Sequence, residues 1–305
     1  MRLWLFRRSL ALRCLCIAAL GSLGIQQATA QLLTWRQVLE RTIPKPDTVL
    51  HYGPLKLQFG ELWLPPQGEG PHPVLVLIHG GCWLAELPGT ELVAEMADSL
   101  RTSGIAVWSI EYRRVGHPGG GYPGTFLDVA SGADFLQTIA PRFGLDLTRV
   151  IAAGHSAGGH LALWLAGRAR LPQSSELRTG NPLHVKAVVS LAGIGDPQHF
   201  DPGGAVCGEG TAAELVDLAR RGTERAFLDT SPRELLPLGI PQVVIHGVYD
   251  AAVPPFYGYR YWEQAVVKGD SVELLAIENA GHFEIIAPWT PQFAAVRATI
   301  LRLLR

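Results

Sequence analysis

The sequence predicts an α/β protein in which a mostly parallel central sheet is flanked by helices, with a small cap insertion. Short runs of consecutive apolar residues, such as 74–78, are typical of strands that are covered on both faces. These runs alternate along the chain with stretches of helical pattern, and this alternation favours parallel strands with helical crossovers. A chain of 305 residues with 48% hydrophobic residues can bury one large core, so residues 31–305 are expected to form a single domain.

The elements are predicted in the following order. A short helix at 35–41 precedes a hairpin within 51–64 that turns around Gly60. Strands are then expected at 74–78, 105–110, 149–153, 185–191, 242–245 and 272–276. The intervening and closing helices are expected at 91–103, 125–140, 157–170, 256–267 and 291–304. A Gly- and Pro-rich stretch at about 194–240, with an amphipathic segment at 212–221, interrupts the alternation and predicts the cap.

The first thirty residues differ in composition from the remainder of the chain. Four arginines precede an apolar run at 14–25, and Ala-Thr-Ala follows at 28–30. This pattern predicts a signal peptide that is cleaved after Ala30, and therefore a periplasmic or secreted protein without a stable membrane anchor. An uncleaved N-terminal anchor is the alternative, although the apolar run is short for a membrane span.

Charge and cysteine content restrict the partners of the mature chain. Loss of the four arginines lowers the basic count from 26 to 22, against 27 acidic residues, which argues against a nucleic-acid partner. Cys14 and Cys16 leave with the same segment, so Cys82 and Cys207 remain. In an oxidising compartment these two cysteines form either one disulfide or two separately buried thiols. No pattern on the predicted surface specifies an oligomeric state.

Residues 154–158 read Gly-His-Ser-Ala-Gly and lie between a predicted strand and a predicted helix. In that context a G-x-S-x-G pentapeptide predicts a sharp turn that presents the Ser156 hydroxyl as a nucleophile. The alternative is a glycine-rich turn without chemistry. A serine hydroxyl also needs a base and a group that orients the base, so the first interpretation requires partners elsewhere in the chain.

Asp250 and His282 are the predicted partners of Ser156. Each follows a predicted parallel strand, and open α/β sheets place their sites at the carboxyl ends of such strands. The order Ser, Asp, His is also the order found in one large group of serine hydrolases. Asp196, which follows an earlier strand, is the alternative acid.

Residues 79–83 read His-Gly-Gly-Cys-Trp and directly follow the predicted strand 74–78. Paired glycines allow the backbone to present consecutive N–H groups to a developing oxyanion, so Gly81 and Cys82, with Ala157, are the expected oxyanion donors. Trp83, next to this loop, is expected to bind substrate. A plain strand-ending turn is the alternative, and a catalytic role for the Cys82 thiol is disfavoured because Ser156 already occupies the nucleophile position.

The segments 79–83 and 154–161 together resemble α/β-hydrolase esterases. The groups concerned are those around kynurenine formamidase, the hormone-sensitive-lipase-like carboxylesterases and the prolyl oligopeptidase catalytic domain. The resemblance covers about residues 50–305. It implies the α/β-hydrolase fold, a catalytic triad of Ser156, Asp250 and His282, and the oxyanion donors named above.

These observations lead to the expectation of an exported serine hydrolase that acts on small-molecule carboxylic esters or related acyl bonds, with no metal or organic cofactor. An exopeptidase or amidase of the prolyl oligopeptidase type is the first alternative. A non-catalytic binding protein on the same scaffold is the second, although such a protein would not need all members of the triad.

Overall fold

A computed structural model of the protein describes residues 32–68, 70–200 and 207–305. The predicted signal peptide at 1–30 and part of the predicted cap, 201–206, lie outside the described residues. From residue 32 onward the described chain forms one compact unit. Within the described ranges, no helix is both long enough and apolar enough to cross a membrane.

In the described residues, eight strands form one sheet with the order β1-β2-β4-β3-β5-β6-β7-β8. β1 and β2 run antiparallel to their neighbours, and the strands from β4 to β8 pair in parallel. The predicted mostly parallel sheet is therefore confirmed. The strands are β1 Thr48–His51, β2 Phe59–Trp63, β3 His72–Ile78, β4 Ala106–Ile110, β5 Leu145–His155, β6 Val188–Leu191, β7 Gln242–Gly247 and β8 Val272–Ile277.

Helices cover both faces of the sheet, and the side chains of β3 show how the two cores are divided. Val74, Val76 and Ile78 belong to one buried cluster, whereas Leu75 and Leu77 belong to the other. Successive residues of a strand point to opposite faces, so a strand covered on both sides must be apolar throughout. The α-helices are α1 Trp35–Leu39, α2 Ala94–Arg101, α3 Gly124–Asp134, α4 Leu136–Phe143, α5 Ala157–Ala166, α6 Thr211–Leu215, α7 Leu218–Arg221, α8 Thr223–Ala226, α9 Pro255–Val267 and α10 Phe293–Leu303.

The N-terminal hairpin differs from the prediction, because its turn does not lie at Gly60. The connection between β1 and β2 spans residues 52–58, and Gly60 lies inside β2 opposite Ile110. A Cβ atom at position 60 would lie 2.2 Å from the indole ring of Trp108. Gly60 is therefore required by close side-chain packing in the sheet and not by a turn.

The single helix predicted at 125–140 is also wrong, since the structure contains α3 and α4 in this region. The backbone of Phe135 stays helical between them, but its carbonyl accepts a hydrogen bond of 2.9 Å from the N–H of Thr138. The same carbonyl also accepts a bond of 3.2 Å from the N–H of Ile139, so the i to i+3 turn tightens the junction between α3 and α4 while the backbone continues as a helix.

Between β6 and β7 the described residues contain the three short helices α6, α7 and α8. The amphipathic stretch predicted at 212–221 falls on α6 and α7, separated at Asp217, whose φ of +53° lies in the left-handed region. Leu215 of α6 and Ala226 of α8 belong to the same buried cluster as Trp83 and Ala157.

Candidate active site

Ser156 occupies a tight turn between β5 and α5. Its φ of +55° and ψ of −120° are sparsely populated for a residue with a side chain, so the surrounding structure must impose them. The two glycines of the motif explain how the chain approaches so closely. A Cβ atom at Gly154 would lie 2.0 Å from the carbonyl oxygen of Gly158, and one at Gly158 would lie 2.1 Å from that of Ile78. The motif therefore forms the elbow that its sequence predicts.

The imidazole of His282 is held by Asp250. Nδ1 of His282 and Oδ2 of Asp250 are 2.7 Å apart, and the Asp250 side chain is fully buried. The other carboxylate oxygen accepts hydrogen bonds of 2.8 Å from the N–H groups of Ala252 and Val253. Burial by itself raises the pKa of Asp250, but His282 and the Val253 N–H outweigh it, so this pKa is lowered and the group is a carboxylate.

Asp196, the alternative acid, lies elsewhere. Its Oδ2 is 2.9 Å from Nη1 of Arg233 and 2.9 Å from Nδ1 of His199. The structure thus brings Asp250, and not Asp196, to His282.

Ser156 and His282 line the same cavity, which has a volume of about 80 Å³. Between them lies His155, whose ring centre is 4.4 Å from that of His282 and whose Nε2 donates to the His282 carbonyl oxygen at 2.9 Å. Burial, and secondarily His282, lowers the pKa of His155 to about 3, so His155 is neutral and acts as a donor that supports the His282 backbone.

The loop after β3 lies directly against the nucleophile. A Cβ atom at Gly80 would be 3.2 Å from Cβ of Ser156, and Gly81 and Cys82 line the same cavity. Gly81 and Cys82 both have positive φ, at +101° and +51°, which turns the backbone sharply at this point. Ala157 is the first residue of α5, so its N–H has no partner within the helix. The three residues predicted as oxyanion donors are thereby gathered around Ser156.

A buried polar network that the sequence did not reveal supports this loop. His79 stacks on Tyr112 with ring centres 4.4 Å apart, and its Nε2 lies 3.0 Å from Oε1 of Glu111. Burial raises the pKa of Glu111, but His79, Arg114 and the Tyr112 N–H together lower it overall. Arg114 in turn donates to the carbonyl oxygen of Leu87 at 2.6 Å. The segment after β4 therefore holds the loop after β3 at two points, His79 and Leu87.

A disulfide joins this loop to the segment that was predicted to form the cap. Cys82 and Cys207 are bonded at 2.05 Å, with Cα atoms 5.3 Å apart, and both residues line the cavity. The sequence left open whether these cysteines pair or remain separate thiols, and the structure joins them.

Trp83, which the sequence predicted to contact substrate, packs into the core beside the loop. Its side chain is fully buried, lies outside the cavity lining, and packs edge-on against His160 at 5.3 Å between ring centres. Its Nε1 donates to the carbonyl oxygen of Ala157 at 3.2 Å. In this position Trp83 supports the start of α5, and its contact with substrate stays a prediction. Its φ of +58° continues the reversed backbone of the preceding loop and directs the indole into the core.

Sequence reasoning also missed Trp35, because nothing in the pattern of the N-terminal segment marks it as part of a site. In the structure Trp35 lines the cavity together with Leu87, Pro88, Leu92 and Phe283. This apolar lining, set beside Ser156 and His282, is typical of a small-molecule site.

The arrangement contains the parts that acyl transfer requires: a serine at an elbow, an imidazole oriented by a carboxylate, and backbone N–H groups beside them. In the part of the chain that the structure describes, no three His, Cys, Asp or Glu residues are grouped so that they could hold a metal ion.

Comparison with known proteins finds esterases among the relatives of this chain. Esterase LipC of Mycobacterium tuberculosis is 29% identical over 223 residues, covering 70% of this chain and 53% of LipC. Isoprenylcysteine alpha-carbonyl methylesterase ICME of Arabidopsis thaliana is 29% identical over 248 residues, covering 74% of this chain and 53% of ICME. The chain thus spans about half the length of the curated relatives that it matches.

Among solved structures, phosphonate-inhibited esterase B of Lactobacillus rhamnosis superposes with a TM-score of 0.72 at 20% identity, covering 88% of this chain and 89% of that protein. This likeness confirms the α/β-hydrolase fold. The BD-FAE family model matches residues 61–260, which is about two-thirds of the chain. On the basis of this match and the fold, the chain belongs to the BD-FAE family within the α/β-hydrolase superfamily.

Proposed function

We propose that this protein is a serine hydrolase that cleaves carboxylic esters through an acyl-enzyme on Ser156. The observation that carries the proposal is the placement of His282, oriented by Asp250 at 2.7 Å, in the same cavity as Ser156. The names of the curated relatives, an esterase and methylesterases, support an ester substrate. Amide or peptide hydrolysis, the alternative from the sequence, has no such support.

In the first half of the reaction, Oγ of Ser156 attacks the ester carbonyl carbon and Nε2 of His282 takes the hydroxyl proton. The N–H groups of Gly81, Cys82 and Ala157 donate to the oxyanion of the tetrahedral intermediate. As the bond between the carbonyl carbon and the alcohol oxygen breaks, His282 gives its proton to that oxygen. The alcohol leaves and the acyl group stays on Ser156.

In the second half, water attacks the acyl carbon while His282 takes a proton from it. The bond to Ser156 Oγ then breaks, His282 returns the proton to Oγ, and the carboxylic acid leaves. Asp250 remains ionised throughout, in agreement with its lowered pKa, and stabilises the imidazolium that forms in each half.

Export of the protein is a second part of the proposal. It is supported by the signal-peptide pattern at 1–30 and by the Cys82–Cys207 pairing, because disulfides persist mainly in oxidising compartments. Sequencing the N-terminus of protein recovered outside the cytoplasm is expected to give Gln31 as the first residue. Recovery of the intact residues 1–30 on that protein would contradict cleavage.

Replacement of the nucleophile tests the proposed activity. Ser156→Ala is expected to lower kcat for 4-nitrophenyl acetate and butyrate by at least about 10⁴-fold and to abolish labelling by a fluorophosphonate probe. Ser131→Ala is the matched control, because Ser131 is exposed on α3 and is not part of the cavity lining. Both variants should retain the far-UV circular dichroism of the wild type. Turnover that persists in Ser156→Ala would show that another group is the nucleophile.

A further inference from the structure

The segment that contains α1 forms part of the wall of the cavity beside Ser156. Trp35, its first helical residue, lines the cavity while remaining 37% exposed, so its indole is not used to fill the core. The guanidinium of Arg36 lies 5.0 Å from the centre of this ring. An indole at the edge of a small apolar cavity is well suited to contact the apolar part of a ligand.

One buried carboxylate joins this segment to the loop of the catalytic imidazole. Oε1 of Glu284 accepts a hydrogen bond from the N–H of Leu33, and Oε2 accepts one of 2.8 Å from the N–H of Gly281, the residue before His282. A Cβ atom at Gly281 would lie 3.2 Å from Cδ1 of Leu32, so the two segments are also in direct contact. Glu284 itself is 5% exposed.

The other end of the segment is also attached to the rest of the protein. The side chain of Thr34 caps α1, and Val38 is buried in the core on one face of the sheet. Arg41 forms a salt bridge of 2.8 Å with Glu95 and lies 4.2 Å above the ring of Trp289. Attachment on both sides places Trp35 at a defined position relative to Ser156, which a loose terminal segment could not do.

The cavity is small for a ligand site. Its volume of about 80 Å³ is well below the roughly 300–1,000 Å³ that encloses a drug-sized ligand. The lining is mainly apolar on the side of Leu87, Pro88, Leu92 and Trp35. A long alkyl or aryl group attached to the reacting carbonyl would therefore meet the indole of Trp35.

We propose that Trp35 is a specificity-determining residue that restricts the enzyme to esters with a short apolar group, and that Glu284 is the positioning residue that holds it there. The inference rests on the proposed esterase function and adds the substrate class to it. Trp35 and Glu284 both lie outside the region 61–260 that matches the family model, so the family match does not itself carry this assignment.

The test compares the wild type, Trp35→Ala and Tyr259→Ala. Tyr259 is an exposed aromatic residue of α9 outside the cavity lining, and it controls for the loss of a surface ring. Two series are measured: 4-nitrophenyl esters from acetate to octanoate, and acetate esters of alcohols from ethanol to octanol. In Trp35→Ala the ratio of kcat/KM for the longest to the shortest substrate should rise at least about tenfold in one series, which identifies the side that Trp35 faces. Unchanged ratios in both series, or an equal rise in Tyr259→Ala, would overturn the proposal.

Glu284→Gln tests the positioning role. The amide retains one acceptor oxygen and leaves one of the two backbone N–H groups without its partner, so the same shift toward longer substrates is expected. In a Trp35→Ala background the further change to Gln should leave the ratio unaltered. A uniform fall in kcat for every ester in both backgrounds, with no change in the ratio, would show that Glu284 supports only the His282 loop.

Binding of ketone analogues separates this inference from the proposed activity. Replacing the bridging ester oxygen by CH₂ gives ligands of the same shape that are not hydrolysed, and equilibrium dialysis measures their dissociation constants. Wild-type binding that weakens with chain length, and weakens less in Trp35→Ala, supports the size limit even if no ester is hydrolysed. If binding depends on chain length identically in the wild type and Trp35→Ala, the size limit is refuted. The esterase function is tested separately, by the turnover of esters.

Discussion

Three buried histidines make the stability of this protein sensitive to mildly acidic pH. Burial is the largest factor that lowers the pKa of His155 to about 3 and the pKa values of His160 and His246 to about 4. In the unfolded chain each histidine titrates near its ordinary value of 6.5. Between about pH 6.5 and pH 4 the unfolded chain therefore binds protons that the folded protein does not, and the free energy of unfolding falls as the pH falls.

The size of this effect follows from the pKa differences. One proton bound only by the unfolded state changes the free energy of unfolding by about 1.4 kcal/mol per pH unit. At pH 5.0 the chain is about 1.5 units below the unfolded pKa, so each histidine lowers the free energy of unfolding by about 2 kcal/mol and the three together by about 6 kcal/mol. Since domains unfold with roughly 5–15 kcal/mol, this loss approaches the whole stability.

His246→Leu isolates one of the three contributions. The ring of His246 is buried against the backbone of Gly258, where a Cβ atom would lie 2.2 Å from Nε2, and it interacts with Asp250 and the backbone of Val253, which both raise its pKa against the larger effect of burial. Replacing His246 by leucine removes the one proton that the unfolded chain takes up at this position and the folded protein does not. The slope of the unfolding free energy against pH between pH 6 and pH 5 should therefore fall by at most about 1.4 kcal/mol per pH unit.

Urea unfolding followed by circular dichroism at a series of pH values measures this slope. His184→Leu is the control, because His184 is exposed in the folded protein and its surroundings change little on unfolding. A general loss of stability in His246→Leu does not affect the test, since the slope and not the absolute free energy is compared. An unchanged slope in His246→Leu, or an equal reduction in His184→Leu, would refute the reasoning.

Three further predictions concern the site and the elbow. Asp250→Asn removes the carboxylate that orients the catalytic imidazole, so kcat for 4-nitrophenyl esters should fall by roughly 10⁴-fold, and a loss under tenfold would contradict that role. Cys207→Ser opens a closed loop of 125 residues, which should lower the free energy of unfolding in urea by up to about 5 kcal/mol; an unaltered value would argue against the disulfide in the folded protein. Gly158→Ala places a Cβ atom 2.1 Å from the carbonyl oxygen of Ile78 and should destabilise the protein by more than about 4 kcal/mol, whereas Gly180→Ala meets nothing within 4 Å and should be nearly neutral. Equal stability of these two glycine variants would contradict the packing of the elbow.

Several elements were predictable because their signals are local. Apolar runs such as 74–78 and 242–245 identified strands covered on both faces, and their carboxyl ends correctly indicated one edge of the sheet. The turn of the N-terminal hairpin was not predictable in this way. Gly60 reads as a turn residue in isolation, and its function as space for the Trp108 ring depends on a residue that is distant in the chain.

The two tryptophans near the site show the same limit for side chains. Trp83 adjoins the loop predicted to bind the oxyanion, yet the reversed backbone turns its indole inward to Ala157. Trp35 carries no local signal, and it lines the cavity on a segment that Glu284 joins to the His282 loop and that Val38 anchors in the core. Whether an aromatic side chain faces the core or a cavity depends on contacts that sequence proximity does not encode.

The sequence by itself determined the fold class, the elbow at Ser156 and the candidate partners Asp250 and His282, because apolar periodicity and glycine spacing act over a few residues. Only the tertiary structure decided between Asp250 and Asp196, paired Cys82 with Cys207, and brought the N-terminal segment to the wall of the cavity. These choices join segments that are far apart in the chain. They depend on how the whole core packs, and no short stretch of sequence contains that information.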